Sequence, residues 1–435
     1  MITADCRPNT LLAAGSNARG QLGIGSCEDT HVFAPCTFAG STSNQLPPQT
    51  HRILNLVSGA NHTVLLLQRH DGSTDLWGCG DGSKGQLGHE LYESSRRDTE
   101  PGFVFTQLAM PLHTTCTHRG YTYRLIAAAW ETTYIVLSCD TGSDVLISMG
   151  GNDFGALGVG GGENGSGSAP NMPRVVNVEA LLSNSNKQSV DGQILRIKSL
   201  HAGPRHVVVQ LQTISAEGML SSPILVGWGA SRHGQLGHKT QAPFSSYPII
   251  IPVDIASDGM VSCALGNQHT VILHESGRVS ALGSNKKGQL RVLQSPYIRE
   301  IECTWNGTYM RVSDGGKDVL WSTGSNAKGQ LGRGQASESI SEKVAPVQLP
   351  AGHIGTIGAL ACGSEHVLIL ASGSSERRQG PVVLGWGWNE HGNLGLGSLV
   401  DVSSPTRIWS ENNAHSSSKV HYIWAGCGTS WLLVS

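Results

Sequence analysis

Apolar residues along this chain fall in short runs of strand length, each entered through a small residue and a turn. The runs read VSGANHTVLLL around His62, AAAWETTYIVL around Thr133, HAGPRHVVVQL around His206, CALGNQHTVIL around His269, CTWNGTYMRV around Thr308, ACGSEHVLIL around His366 and AGCGTSWLLV around Trp431. A short continuous apolar run bounded by turn signals reads as a buried strand. A further strand is predicted from STDLWGCG, SDVLISMG, PILVGWG, GRVSALG, KDVLWSTG and PVVLGWG. No long apolar stripe of helical period runs through the chain, which excludes a helical solenoid. The pattern predicts an all-β protein.

A second motif alternates with the first. It reads AAGSNARGQLG ending at Gly23, GCGDGSKGQLG at Gly88, MGGNDFGALG at Gly158, GWGASRHGQLG at Gly237, ALGSNKKGQLR at Arg291, STGSNAKGQLG at Gly332 and GWGWNEHGNLG at Gly395. Its glycines permit a tight turn with positive φ, and the leucine after glutamine is placed to plug the space between neighbouring sheets. A sheet of this size cannot bury both faces alone, so the copies must stack around an axis and close into a ring. Seven copies predict a single seven-bladed β-propeller over 1–435, with units at 10–68, 73–138, 144–210, 223–274, 278–312, 318–370 and 382–435. Spacing between copies ranges from 41 residues (Arg291 to Gly332) to 79 (Gly158 to Gly237). The surplus lies in polar connectors at 90–121, 159–193, 239–255 and 398–419, of which 160–168, GGGENGSGS, reads as a flexible loop.

Composition narrows the functional classes. Glycine occurs 56 times in 435 residues, roughly twice the usual share of about 7%, as a turn-rich chain requires. A net charge of −2 gives no broad attraction to phosphate, so direct nucleic-acid binding is not expected. The N-terminus MITADCRPNT has no signal-peptide pattern, and no apolar stretch approaches the ~20 residues that span a bilayer. A monomeric, cytoplasmic and nuclear protein is expected. The 10 cysteines include no Cys-x-x-Cys pair, so neither a zinc site nor a disulfide framework is expected. Cys362 and Cys427 read as small core residues.

The recurrent histidines, His62, His206, His269 and His366, invite a metal or catalytic reading. Each occupies one slot, three residues after a glycine, where a ring nitrogen can satisfy a neighbouring turn, so the structural role is favoured. In this reading Thr133, Thr308 and Trp431 fill that slot in the other copies. No Gly-Lys-Ser/Thr loop and no nucleophile elbow is present, the string Gly165 to Ala169 lying in the flexible loop. No enzyme, cofactor or metal is predicted. The sharper signal lies where the repeat is broken. Between glycine and histidine slot stand Ala60-Asn61, Glu131-Thr132, Pro204-Arg205, Asn267-Gln268, Asn306-Gly307, Ser364-Glu365 and Thr429-Ser430, and two of the turn glycines are read as replaced by Trp130 and Trp305. An indole at a tight turn has no evident folding benefit. It serves either as an interface anchor or as a plug of the axial channel.

The repeated Gly-x-Asn-x-x-Gly-Gln-Leu-Gly and Gly-x-x-His units resemble the regulator of chromosome condensation repeat over nearly the whole chain. In that family acidic turn residues and a β-wedge act on the small GTPase Ran. Here only Glu131 and Glu365 fit, no wedge or basic tail is recognisable, and nucleotide exchange is the alternative reading. LLAAGSNARGQLGIGSCEDTHVFAPCTF with its Glu28-Asp29 pair, the string at 129–133 and GCGTSW at 426–431 resemble more closely the fungal alpha-tubulin-suppressor, or killer-toxin-insensitivity, family of compact propellers. That resemblance implies a regulatory adaptor that binds a small CSL-type zinc-binding protein and supports diphthamide synthesis and, with the Elongator complex, modification of tRNA wobble uridines. A microtubule or cell-cycle scaffold is the second alternative. Trp130, Glu131, Arg205, Trp305 and Asn306 are the expected partner contacts.

Overall fold

The computed structural model describes residues 9–41, 44–88, 102–109, 120–161, 172–186, 192–238, 242–334, 343–350, 354–373, 380–410 and 418–435. Its strands form seven antiparallel sheets, the blades of a propeller. Blade 2 runs through Thr50–Ser58, His62–Arg69, Thr74–Gly80 and Thr106–Gln107. Blade 3 is Thr122–Ala128, Thr132–Ser138, Val145–Gly150 and Arg174–Val175, and blade 4 is Ile194–Ala202, His206–Ile214, Ile224–Ala230 and Phe244–Ile250. Blade 5 has three strands, Met260–Leu265, His269–His274 and Val279–Gly283. Blade 6 follows with Ile298–Thr304, Gly307–Asp314, Lys317–Gly324 and Ala345–Pro346, and blade 7 with Ile354–Cys362, His366–Gly373, Val382–Gly387 and Val402–Ser410.

Blade 1 closes the ring. Its outer strands, Thr10–Gly15 and Thr30–Pro35, come from the beginning of the chain, and its inner strands, Val420–Ala425 and Thr429–Val434, from the end. Six pairs, from Thr10 opposite Val434 to Gly15 opposite Thr429, join the two. The predicted units are therefore offset from the blades, because each runs from the third strand of one blade to the second strand of the next. Among the described residues the all-β expectation holds apart from a short α-helix, Glu179–Asn186, in the connector between blades 3 and 4, and a 3-10 turn at Asp153–Gly155. The loop read at 162–168 lies outside the described residues.

The core lies between blades rather than within them. Tyr134 and Val136 of blade 3, for example, are buried against Val207, Val209 and Trp228 of blade 4. The Gly-x-Asn-x-x-Gly-Gln-Leu-Gly motif builds each wedge. The asparagine side chain accepts from the leucine N–H at 2.9 Å in Asn17 and Leu22, with the same bond at Asn285, Asn326 and Asn389. The glutamine side chain accepts from the loop tip two residues earlier, as Gln86 does from the Lys84 N–H at 2.9 Å. Leu22, Leu87, Leu157, Leu236, Leu331 and Leu394 are then buried as the sequence predicts. Leu290 alone is only half-buried. It belongs to the three-stranded blade, where the side-chain amide of Gln294 stands in for a fourth strand, accepting from the Val279 N–H at 2.7 Å and donating to its carbonyl at 3.0 Å.

Every innermost strand carries a β-bulge at one equivalent position, occupied by Leu54, Arg124, Lys198, Val261, Arg299, Gly358 and His421. A bulge bends and twists its strand, and its sevenfold recurrence lets each innermost strand curve along the axis. At the other end of the blades, the last glycine of each third strand pairs with the first residue of the second strand. Gly150 opposite Thr132 has φ +115°, and an added Cβ would lie 2.2 Å from the Glu131 carbonyl oxygen. Gly150→Ala is therefore expected to lose about 2–3 kcal/mol from combined φ strain and backbone collision, read as a lower urea midpoint. Gly25→Ala, also positive in φ but with nothing within 4 Å of the added carbon, should lose clearly less.

Candidate functional site

Hydrogen-bond register fixes which residues occupy the turn between the first and second strand of each blade. The backbone N–H of Gly59, Ala129, Gly203, Gly266, Gly363 and Gly426 donates to the residue three positions on, namely His62, Thr132, His206, His269, His366 and Thr429. In blade 6, Thr304 pairs with Gly307 in the same place. The glycine slot thus holds Ala129 and Thr304 in blades 3 and 6, and Trp130 and Trp305 are the first residues of their turns rather than substitutes for the glycine. The turn pairs become Trp130-Glu131, Trp305-Asn306 and Cys427-Gly428, and the histidine slot in those blades holds Thr132, Gly307 and Thr429. Cys427 accordingly lies in a turn. Cys362, also read as a small core residue, ends the innermost strand of its blade and is half-buried on the axial cavity.

The four histidines stitch blade to blade. The Nε2 of His62 meets the hydroxyl of Thr133 at 3.0 Å, His206 meets Thr270 at 2.8 Å, His269 meets Thr308 at 3.2 Å and His366 meets Ser430 at 3.0 Å. The three threonines donate in turn to the backbone carbonyls of Gln86, Gln235 and Gln289 at 2.7–2.9 Å. Thr133 and Thr308 are thus the hydrogen-bond partners of the histidines and not their replacements. All four rings are fully buried, which lowers their pKa to about 4, or about 3 for His206.

First-turn residues also bond around the axis. The Ala60 N–H donates to the Trp130 carbonyl and the Trp130 N–H to Pro204. The Asn267 N–H donates to Trp305, the Trp305 N–H to Ser364 and the Ser364 N–H to the Gly426 carbonyl, all at 2.8–3.1 Å. The ladder stops at Pro204, which has no N–H to pass on. This lattice holds the indoles of blades 3 and 6 across the axis from each other, with ring centroids 5.8 Å apart and planes at 48°. Trp130 is 38% exposed and Trp305 half-buried. Of the two roles read from the sequence, interface anchor or plug of the channel, the geometry bears on the second: the rings meet at the axis and line a cavity of about 150 Å³, and Trp130 keeps exposed surface.

Around this centre the second turn residues form a mixed circle. Arg205 lies over the Phe154 ring, 4.8 Å from its centroid, and Phe154 itself adopts φ +56°. The Asn306 side chain donates to Glu365 at 2.8 Å, and Gln330 donates to the same carboxylate at 2.6 Å. Burial raises the pKa of Glu365, with these bonds working against the rise, and burial likewise raises that of Glu131. The structure brings Trp130 and Trp305 into contact and puts Glu131, Arg205 and Asn306 on the same turn face.

Sequence reasoning passed over an outer circle on that face. The residue before Gly-Gln-Leu, or its counterpart, is Arg19, Lys84, Phe154, His233, Lys287, Lys328 and His391 in the seven copies, a basic or imidazole side chain in every blade but one. Lys84 acts electrostatically on Glu131, and Lys287 on Glu365. Lys328 is ion-paired with Glu390 and Asp401, and His391 Nδ1 lies in hydrogen-bond contact with Asp29 at 2.7 Å. Arg19, Lys84 and Lys287 are exposed. The signal was present in the motif alignment itself, in a column where Arg19, Lys84 and Lys287 keep exposed side chains.

Known proteins agree with this geometry. Residues 226–273, 317–370 and 382–433 match the family model of the regulator of chromosome condensation (RCC1) repeat. Three of the units thus match that repeat model, and the chain is a seven-bladed β-propeller with RCC1-type repeats. It is 25% identical over 440 residues to an RCC1 repeat-containing protein of Schizosaccharomyces pombe, covering 98% of both chains, and 27% identical over 451 residues to the mouse secretion-regulating guanine nucleotide exchange factor, covering 96% of this chain and 82% of that one. Among solved structures it is similar to Prp20p of Saccharomyces cerevisiae (TM-score 0.67, 18% identity, 99% of this chain and 92% of that one) and to human WBSCR16 (TM-score 0.68, 16% identity, 99% of both). These two likenesses concern the fold.

The buried histidines give the site a pH signature. In the unfolded chain each binds a proton below about pH 6.5, but in the folded chain only below about pH 4. Between those values the unfolded state holds more protons, so stability is complete above about 6.5 and falls as the pH drops toward 4. Each histidine contributes on the order of 1–3 kcal/mol to that fall. The urea midpoint is expected to drop between pH 7 and pH 5. His206→Gln should be less stable at pH 7 and show a shallower pH dependence.

Proposed function

We propose that this propeller is a non-catalytic interaction adaptor whose turn face receives a small acidic partner. The observation that carries the proposal is the Trp130–Trp305 pair at the axis, with the exposed cations Arg19, Lys84 and Lys287 on the same face. Aromatic residues in the centre of a binding face, surrounded by polar residues, supply most of the energy of protein–protein contacts. The outer circle adds electrostatic steering, which raises association rate and selects acidic partners. Glu131, Arg205 and Asn306 stand beside the tryptophans as the residues that set orientation.

The resemblance to the fungal alpha-tubulin-suppressor family supplies the partner: a small CSL-type zinc-binding protein. In this reading the adaptor supports diphthamide synthesis and Elongator-dependent wobble-uridine modification, in the cytoplasm and nucleus. The competing reading is nucleotide exchange on a Ran-type GTPase, supported by two relatives: the mouse protein, a guanine nucleotide exchange factor by name, and Prp20p, which binds Gsp1p and histones.

Affinity for the CSL-type protein, measured by calorimetry, is expected to fall at least about 30-fold in the Trp130→Ala, Trp305→Ala double variant. Lys84→Glu with Lys287→Glu should slow association and flatten its salt dependence. Unchanged affinity in the tryptophan variant would remove that pair from the interface. Faster release of labelled nucleotide from Ran at micromolar propeller would favour the exchange reading instead.

A further inference from the structure

Blade 5 lacks the outermost strand that every other blade has. In those six, a fourth strand pairs with the third at one equivalent place, occupied by Ala13, Gly78, Ser148, Gly227, Ser322 and Gly385. Blade 5 ends at its third strand, Val279–Gly283. The departure begins at one residue. The glycine that closes Gly-Gln-Leu-Gly or its counterpart, at Gly23, Gly88, Gly158, Gly237, Gly332 and Gly395, has φ between +65° and +85° and turns the chain back along the sheet. Blade 5 has Arg291 there, outside the left-handed region that side chains disfavour. Residues 291–297 run directly to the first strand of blade 6, which begins at Ile298.

The edge that results keeps backbone groups to offer. Along a strand, the N–H and C=O groups that face one edge recur every second residue. Val279 presents both, and the Gln294 side chain takes them at 2.7 and 3.0 Å. Ala281 is next in that series, at the place that the other six blades pair, and among the described residues nothing bonds to it on that side. Ser280, Ala281, Leu282 and Gly283 are half-buried, whereas the third strand of blade 7, Val382–Gly387, is buried throughout. A sheet edge with open donors and acceptors is a template for a further strand. The segment that leaves this edge, 284–294, holds Lys286, Lys287 and Arg291, all exposed, and no carboxylate.

We infer that the open edge of blade 5 binds an extended, acidic segment of a partner protein, which adds as the missing fourth strand, antiparallel to Val279–Gly283, and pairs with the N–H and C=O of Ala281. Main-chain bonds of this kind supply affinity without reading sequence, so the cations supply the selection. A second copy of this chain would bring two sets of the same cations together, which disfavours pairing edge to edge. The surface lies on the circumference of the propeller, apart from the Trp130–Trp305 pair at the axis, and does not depend on the adaptor reading of the turn face.

The probe is a short fluorescein-labelled peptide of alternating glutamate and valine, titrated into the full chain and followed by anisotropy. Its controls are the same peptide fully N-methylated, which keeps the charge and loses the donors, and a peptide with lysine in place of glutamate. Saturable one-to-one binding is expected, at least about tenfold weaker for either control. Amide hydrogen exchange over 279–283 should slow when the peptide is bound. Lys286→Glu should weaken binding at least about threefold. Ala281→Pro removes the edge N–H and leaves the ladder to the second strand, so it should weaken binding at least about tenfold. The urea midpoint shows whether that variant is folded, and if it is not, the N-methylated peptide tests the same bonds. The Trp130→Ala, Trp305→Ala double variant should bind the peptide as the wild type does. The inference is overturned if the peptide does not bind, if its N-methylated form binds as tightly, if exchange over 279–283 is unchanged, or if the tryptophan double variant loses it. Should the peptide fail while that double variant still loses the CSL-type protein, the adaptor reading survives and the added strand does not.

Discussion

The structure depends on a hydrogen-bond relay that crosses from one blade to the next. A histidine at the start of one second strand reaches a hydroxyl in the neighbouring blade, and in three of four cases that hydroxyl donates to the backbone carbonyl of the glutamine in Gly-Gln-Leu. Blades of three or four short strands have little core of their own. The apolar clusters that bury them lie between sheets, and such contacts alone are non-directional and do not fix the angle at which sheets meet. The relay does, because it joins the strand entry of one blade to the loop that precedes the next. Burial of the imidazoles keeps them neutral, and because each threonine hydroxyl gives its one proton to a glutamine carbonyl, the ring Nε2–H is the donor to that hydroxyl. Stability, angle and acid sensitivity thus share one cause.

Closure follows from the same need. An open ring would leave the relay and the apolar face of a terminal blade facing solvent, a sheet edge and a core exposed together. Pairing Thr10–Gly15 with Thr429–Val434 makes the two chain ends one blade, and its hydroxyl partner, Ser430, receives the relay from His366 of blade 7. The offset between repeat unit and blade is the means of closure: every unit hands its second half to the next sheet, and the last hands its second half to the first.

How much of this was legible depended on whether the fold uses a side chain or only a backbone. The count of blades, the strand runs and the buried leucines could be read because side-chain chemistry repeats there. The position of Trp130 and Trp305 was read one residue early. Ala129 and Thr304 stand where other blades have glycine, and a comparison by identity then slides the tryptophan into the empty glycine column. Only the hydrogen bonds from the glycine slot to the residue three positions on restore the frame. The same slide made Thr133 and Thr308 look like substitutes for histidine, when they are the hydroxyls that the histidines of the preceding blades meet. Contacts of this kind join residues 39 to 71 positions apart, and no local pattern announces them.

The division between used and unused side chains also explains why recognition can lie on this face. In Gly-x-Asn-x-x-Gly-Gln-Leu-Gly the fold employs asparagine, glutamine and leucine by their side chains, and from Lys84 and Lys287, before the second glycine, it takes the backbone N–H, which Gln86 and Gln289 accept. In the axial turns it takes only N–H and carbonyl groups from the first residue. At Lys84 and Lys287 the side chains are therefore exposed while the backbone is fixed in place by these bonds. Placing groups rigidly before a partner arrives reduces the ordering cost of association. The outer column carries positive or imidazole groups in six blades and the inner column carries the two indoles, so the most constrained backbone in the molecule presents the least constrained chemistry. Pro204 marks the limit of this arrangement. It ends the ladder between blades 4 and 5, and beside it stand Arg205 and the left-handed Phe154, where cation and aromatic meet at the one blade whose outer position lacks a base.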